Sequence, residues 1–197
     1  MGMFYSRFNR VLAAVSWLFC AGAIVAIVVS GFSNNGRYVW LIALVAFLAW
    51  AGLWRPFVRV TDDGVTLGNV LSTTEVPWAA LIQVETQYAL TLVTPHGRYS
   101  ATAAPAPGRL AVALSRRDLS GIASSAADGS VRPGDLPNTD SGVAAHLVRS
   151  RWDQLVAEER VELGVADETP VLRRWNLPII SISAILLAGT IAAFLLG

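Results

Sequence analysis

The stretch Arg55–Asn69 reads RPFVRVTDDGVTLGN. Val58 and Val60 alternate with Phe57 and Arg59, and after Asp63-Gly64 the alternation resumes with Val65 and Leu67. A period of two sends successive side chains to opposite faces of a strand, and an acid followed by glycine between two such runs signals a tight turn. The stretch therefore predicts a β-hairpin with one apolar face. The same signals repeat downstream. Val70–Val76 reads as a short strand stopped by Pro77. In Leu81–Gln87, Ile82 and Val84 alternate with Gln83, Glu85 and Gln87, the pattern of a half-buried strand with a polar outer face. Tyr88–Thr94 puts Leu90 and Leu92 on one face, Pro95-His96-Gly97-Arg98 is a turn, and Tyr99–Ala103 pairs back. Leu110, Val112 and Leu114 suggest a last strand. Short strands in such number, joined by tight turns, predict a small antiparallel barrel or sandwich.

Beyond the strands, Ala104–Gly108 is rich in Pro and Ala, and Ser115–Ser141 is rich in Ser, Gly, Asp and Pro. A connection as long as the latter is either mobile or functional. Gly142–Arg160 then reads as an amphipathic helix that Asp140 or Ser141 can cap. Ala144, Val148, Trp152, Leu155 and Val156 follow helical spacing along the face expected to pack on the sheet. Arg149 and Asp153 stand four apart on another face, where a weak exposed pair can form.

Long apolar segments flank this region. Val11–Phe32 runs 22 residues without a charge, Tyr38–Trp54 runs 17, and Trp175–Leu196 runs 22. About 20 apolar residues cross about 30 Å of hydrocarbon. The polar turn Ser33–Arg37 joins the first two segments, which are expected to form an antiparallel hairpin. Pro178 falls in the first turn of the third, where proline is tolerated. A cleaved signal peptide would also carry Arg7 and Arg10 ahead of its apolar run, but this run is long for one and a second follows at once. The chain of 197 residues is 54% hydrophobic and only 15% charged, with mean hydropathy +0.51. Soluble domains carry about 25% charged residues, so the composition excludes a plain soluble globule and a disordered tail. All 15 cationic residues are arginine and the net charge is +1, without the clustered cations that nucleic-acid binding needs. Cys20, the single cysteine, excludes an intramolecular disulfide and any multi-cysteine metal site, and reads as apolar filler.

Arginine placement sets orientation. Arg7 and Arg10 precede the first segment, Arg55 and Arg59 follow the second, and Arg173 and Arg174 precede the third, whereas Arg37 alone lies in the turn between the first two. One arrangement puts all six flanking arginines on one side: N-terminus and central domain cytoplasmic, C-terminus outside. Trp54 and Trp175 then stand where the domain meets the membrane, so Trp54, Arg55, Arg59, Arg173, Arg174 and Trp175 are the expected membrane-interface anchors. The resulting division is a two-span hairpin over 1–54, the domain over 55–160 with its long loop 115–141, a linker over 161–174 and a third span over 175–197.

Short strands followed by one C-terminal amphipathic helix is the plan of the pleckstrin-homology (PH) fold. RPFVRVTDDGVTLGN, EVPWAALIQVE (75–85) and LTLVTPHGR (90–98), with Trp78 after the Pro77 break, resemble the membrane-anchored bacterial PH-domain proteins of actinobacteria. The resemblance covers Arg55–Ala103 and, more loosely, the helix around Trp152. It implies a mainly-β PH-like barrel with a C-terminal capping helix, held on the cytoplasmic side by three membrane-spanning helices and serving interaction rather than catalysis. The long Ser115–Ser141 segment departs from a minimal domain. Eukaryotic relatives of this fold can bind phosphoinositides through basic residues at the first hairpin. Here that turn is Asp62-Asp63-Gly64, whose carboxylates repel a phosphorylated headgroup, so headgroup binding is assigned to no residue.

No nucleophile elbow or phosphate-binding loop is present in the sequence. His96, in a turn, and His146, on the helix, lack acidic or thiol partners with metal-ligand spacing. Asp62 and Asp63, in an exposed turn, lack the burial that raises a carboxylate into catalytic range. The apolar segments carry no ionisable residue, which argues against a transporter acting alone. Ala184, Ala188 and Ala192 with Ser181, and Gly22 with Ala26, have the small-residue spacing of packed helices, a pattern that abundant alanine also produces. The expectation is a non-enzymatic integral membrane protein of the cell membrane, without cofactor, metal, nucleic acid or small-molecule substrate. Its partners are the lipid bilayer and other membrane proteins, for which it acts as scaffold, accessory subunit or assembly factor. The alternative is a lipid-binding or lipid-sensing module whose Arg55, Arg59, Arg173 and Arg174 meet anionic headgroups. A weaker third reading has the long loop position a substrate for a membrane enzyme.

Overall fold

The computed structural model describes residues 2–31, 35–106, 139–162 and 164–196. The chain forms two compact units: Met1–Tyr5, Phe57–Gly68 and Thr74–Arg173 make the first, and Ser6–Pro56, Asn69–Thr73 and Arg174–Gly197 the second.

The first unit is built on strands. β2 (Phe57–Val60) and β3 (Gly64–Gly68) are the expected hairpin, antiparallel with Val58 opposite Leu67 and Val60 opposite Val65. These four side chains are fully buried, while Arg59, opposite Thr66, faces outward. Gly64 is required for space: a Cβ there would stand 2.3 Å from the Val76 carbonyl oxygen. The turn is closed by Thr61, whose N–H and hydroxyl both donate to the Gly64 carbonyl, each at 3.0 Å. β4 (Ser72–Pro77) ends at the expected proline, and a 3-10 turn, Trp78–Ala80, follows. Two strands outside the expected set complete this sheet. β1 (Gly2–Phe4) pairs antiparallel with β2, and β8 (Leu172–Trp175) lies beyond β4, giving the order β1-β2-β3-β4-β8.

A second sheet holds β5 (Gln83–Glu85), β6 (Ala89–Thr94) and β7 (Gly97–Pro105), in that order. Leu90 and Leu92 are fully buried, as the alternation requires. Ile82 departs from it: Leu81, at the end of the 3-10 turn, fills the core and leaves Ile82 52% exposed. The described residues show two sheets and no closure into one barrel. The strand expected around Leu110–Leu114, and Ser115–Asn138 of the long loop, lie outside the described residues.

α3 (Asp140–Ala157) supplies the remaining wall of the core, with Ala144, Ala145, Val148 and Leu155 fully buried and Trp152 and Val156 packed alongside. It begins before the expected Gly142 because Thr139 is the N-cap, its hydroxyl accepting the Gly142 N–H at 3.0 Å. It stops at Ala157, short of Arg160, because Glu159 turns left-handed (φ 53°). The Arg160 N–H then returns to the Leu155 carbonyl and the Glu159 N–H to that of Val156, the paired bonds of a Schellman stop.

The second unit is helical. α1 (Arg7–Ser30) is capped by the Ser6 hydroxyl, which accepts the Asn9 N–H at 3.1 Å. α2 (Tyr38–Ala49) runs into a π-helical turn, Trp50–Trp54, and α4 is Leu177–Leu196. The Trp17 indole N–H donates to the Ala46 carbonyl at 3.1 Å and joins α1 to α2. α2 meets α4 at Gly189, where a Cβ would come 2.4 Å from the Trp40 ring, and Tyr38 meets Phe194 edge-on at 5.4 Å. Gly22, expected at a close helix approach, has nothing within 4 Å of the place a Cβ would take.

α1 and α4 are long and apolar enough to cross a bilayer. Their apolar stretches are 11% and 6% buried, whereas the core helix of a soluble protein is mostly buried. Their 24 and 20 residues span about 36 Å and about 30 Å at ~1.5 Å per residue. Tyr38–Trp54 is a shorter apolar helix.

Candidate functional site

The six expected interface residues fall in both units. In the helical unit, Trp54 ends the π-helical turn, its ring 5.2 Å from that of Trp17 and with the Arg10 guanidinium 5.2 Å above it. Arg55 donates to the Asn69 carbonyl at 3.0 Å. The Asn176 side-chain amide donates to the same oxygen at 3.1 Å and to the Val70 carbonyl at 3.2 Å, and its backbone N–H donates to Leu71 at 2.8 Å. Thr73 closes the knot by donating to the Asn176 side-chain oxygen at 3.3 Å. Arg55 and the Arg174-Trp175-Asn176 segment thus converge on one short turn, Asn69–Thr73, while the Arg174 and Trp175 side chains stay exposed. Asn176 was missed in the sequence, although an asparagine just ahead of an apolar helical run is a legible helix-start signal. Asn69 gave none, since what it contributes is a backbone carbonyl.

In the sheet unit, Arg59 is exposed on β2, its guanidinium 5.4 Å above the Phe57 ring. It borders a cleft of about 330 Å³ together with Asp63, Thr66, Glu75 and Leu172. Arg173 is exposed on β8.

The first hairpin turn keeps Asp63 exposed, as expected, while Asp62 is held by arginines. Arg151 of α3 donates to Asp62 at 2.5 Å, and Arg160, presented by the Schellman stop, stands 3.9 Å from its other oxygen. The hydrogen bond from Arg151 holds the Asp62 carboxyl below its ordinary value, against partial desolvation and with help from the charges of Arg151 and Arg160. Trp78, 4% exposed, ties the same turn down from the other side, its indole N–H donating to the Thr61 carbonyl at 3.1 Å. Nearby, Arg98 bonds Glu85, and Arg149 donates to the Val84 carbonyl at 2.9 Å. His96 meets the Thr169 carbonyl at 3.0 Å. Among the described residues no three His, Cys, Asp or Glu side chains gather as a metal site would need.

No curated protein and no solved structure matches the chain. Residues 55–135 match the bacterial PH domain family. PH domains are generally non-catalytic, and the match together with the two-sheet, one-helix core supports a PH-like domain that suggests a lipid- or protein-binding module.

Proposed function

We propose that the chain is a multi-pass membrane protein whose PH-like domain works on the cytoplasmic face as a non-enzymatic scaffold, accessory subunit or assembly factor of a membrane protein complex. All three apolar segments span in this reading, the second as Tyr38–Trp54. The carrying observation is strand connectivity. β1 ends three residues before α1 begins, β2 begins three residues after the π-helical turn ends, and β1 and β2 are paired. β8 ends two residues before α4 begins and belongs to the same sheet. Such pairing favours a common side for the start of α1, the end of the second segment and the start of α4. The arginine pattern favours the same arrangement, with the cytoplasm as that side. Tethering at several points raises the domain's effective concentration toward a membrane neighbour.

The chain has no lysine, and its 14 carboxylate residues all lie between Asp62 and Glu168. Carboxylate-directed cross-linking on native membranes, through side chains, therefore reports the PH-like domain and the linker that follows it, and not the apolar segments. A reproducible membrane-protein neighbour linked to it is the expected result. A lone monomer with no reproducible neighbour overturns the scaffold reading, and digestion of the domain by protease added outside wall-stripped cells overturns the orientation. The exposure of Arg59, Arg173 and Arg174 favours a second reading, contact with anionic headgroups at ~1 kcal/mol per arginine. Neutralising them together with Arg55 lowers lipid co-purification if that reading holds, and alters only insertion or orientation if it does not.

A further inference from the structure

The helical unit contains five arginines, at positions 7, 10, 37, 55 and 174, and no Asp or Glu. Four of these flank the apolar segments at the ends joined to strands. Arg37 stands at the opposite end of the hairpin, as the N-cap residue of α2. Its guanidinium lies 5.6 Å from the Tyr38 ring, a cation–π contact. No side chain caps α2 and no acid occupies its first turn, so the positive end of the helix adds to the same potential.

Beside Arg37 opens a cleft of about 430 Å³, lined by Gly36, Trp40, Gly189, Ala192, Ala193 and Leu196. That volume falls within the ~300–1,000 Å³ of small-molecule sites. Two features shape its wall. Gly189 lets the Trp40 ring lie against the α4 backbone, and the alanines leave the adjoining turn of α4 shallow. Among the described residues of the lining, Arg37 is the only ionisable one. A cleft with one guanidinium at its rim and apolar walls fits a molecule with one phosphate and a hydrocarbon tail.

We propose that this cleft seats a phospholipid, its phosphate on Arg37 and an acyl chain along Trp40, Gly189 and Ala192. The proposal rests on the membrane reading above and adds a specific lipid site at the Arg37 end of α2, opposite the end that leads to Trp54. Arg37 would form a charge-assisted bond with that phosphate, and no carboxylate side chain lies within the helical unit.

The test uses the full chain, purified in mild detergent, delipidated and titrated with phosphatidylglycerol or with a diacylglycerol of the same acyl chains, and read by native mass spectrometry. Phosphatidylglycerol should be retained about tenfold or more over diacylglycerol, the scale of one hydrogen bond to a charged group. Arg37→Gln should remove that preference. Ala192→Trp, which fills the cleft and keeps the charge, should lower retention of both lipids. Arg98→Gln, which removes one positive charge from the sheet unit, should change neither. Equal retention of the two lipids by the wild type, unchanged preference in Arg37→Gln, or an equal loss in Arg98→Gln overturns the seat. If Ala192→Trp unfolds the helices, Arg37→Gln, a change at the rim, decides alone. Alkaline extraction keeps the two readings apart. A chain released without detergent removes the membrane reading and the seat with it, whereas a chain that stays bound but ignores Arg37 removes only the seat.

Discussion

The two units handle charge in opposite ways. The sheet unit carries ten arginines and fourteen carboxylates, a net charge of −4, while the helical unit carries five arginines and no carboxylate, a net charge of +5. In the sheet unit, Arg151 and Arg160 hold Asp62, and Arg98 holds Glu85. In the helical unit the guanidinium groups use what else is at hand: the Trp54 ring for Arg10, the Tyr38 ring for Arg37 and the Asn69 carbonyl for Arg55. Rings and carbonyls attract a cation without neutralising it. A positive unit without its own counter-ions suits an environment that supplies them, and anionic lipid is such an environment. The sheet unit offsets part of its charge with ion pairs of its own.

The contrast breaks most visibly in the cores. Leu90 is fully buried between the second sheet and α3, so Leu90→Ala should cost the sheet unit ~2–5 kcal/mol through lost transfer energy and the cavity left behind. Hydrogen exchange on the full chain in detergent should show faster exchange through β6, β7 and α3 and unchanged protection in α1 and α4. Equal loosening of the apolar helices would mean that the two units unfold as one cooperative body.

Within the helical unit, two glycines sharpen the comparison because the same substitution should act with opposite signs. Glycine to alanine in a helix gains up to ~1 kcal/mol in propensity. At Gly22 nothing lies within 4 Å of the new methyl group, so Gly22→Ala should raise the helical melting temperature in detergent. At Gly189 the methyl group would sit 2.4 Å from the Trp40 ring, and overpacking of ~1–3 kcal/mol should outweigh the gain. A rise for both would mean that α2 and α4 do not rely on that close approach.

Legibility in the sequence followed the kind of force involved. The β2–β3 hairpin was readable because period-two burial writes itself into Val58, Val60, Val65 and Leu67. β1 and β8 were not, because Gly-Met-Phe is too short to show a period and Leu-Arg-Arg-Trp is exposed throughout, so partner strands alone define them. Gly64 was legible as a residue of the hairpin turn, and the turn does close on its carbonyl, but the need for a missing side chain to admit Val76 left no local trace. Thr139, Asp140 and Ser141 are all good caps, and only backbone geometry selects the first. Trp54 and Arg55 stood out by type and place as expected interface residues. Their contacts with Arg10, Trp17 and Asn69 come from segments distant in sequence and left no local trace.

The smallest expected effect separates the units by pH. The folded protein holds the Asp62 carboxyl below its ordinary value of 3.8, chiefly through the Arg151 hydrogen bond, so the folded state binds fewer protons than the unfolded chain near that pH. Stability from this contact is therefore fully present above the unfolded value and is lost as pH falls through 3.8 toward the lower folded value. Asp62→Asn removes the ionisation but keeps an acceptor for Arg151. Urea melts between about pH 3 and about pH 7 should show the variant less stable than wild type at neutral pH, with the two curves converging in acid. Because the turn is open to solvent, ~1 M salt should narrow the neutral-pH gap. A gap of constant size at every pH would mean that Asp62 contributes shape rather than charge. The helical unit, with no carboxylate side chain to protonate, should show no such slope for α1 and α4 in the same experiment.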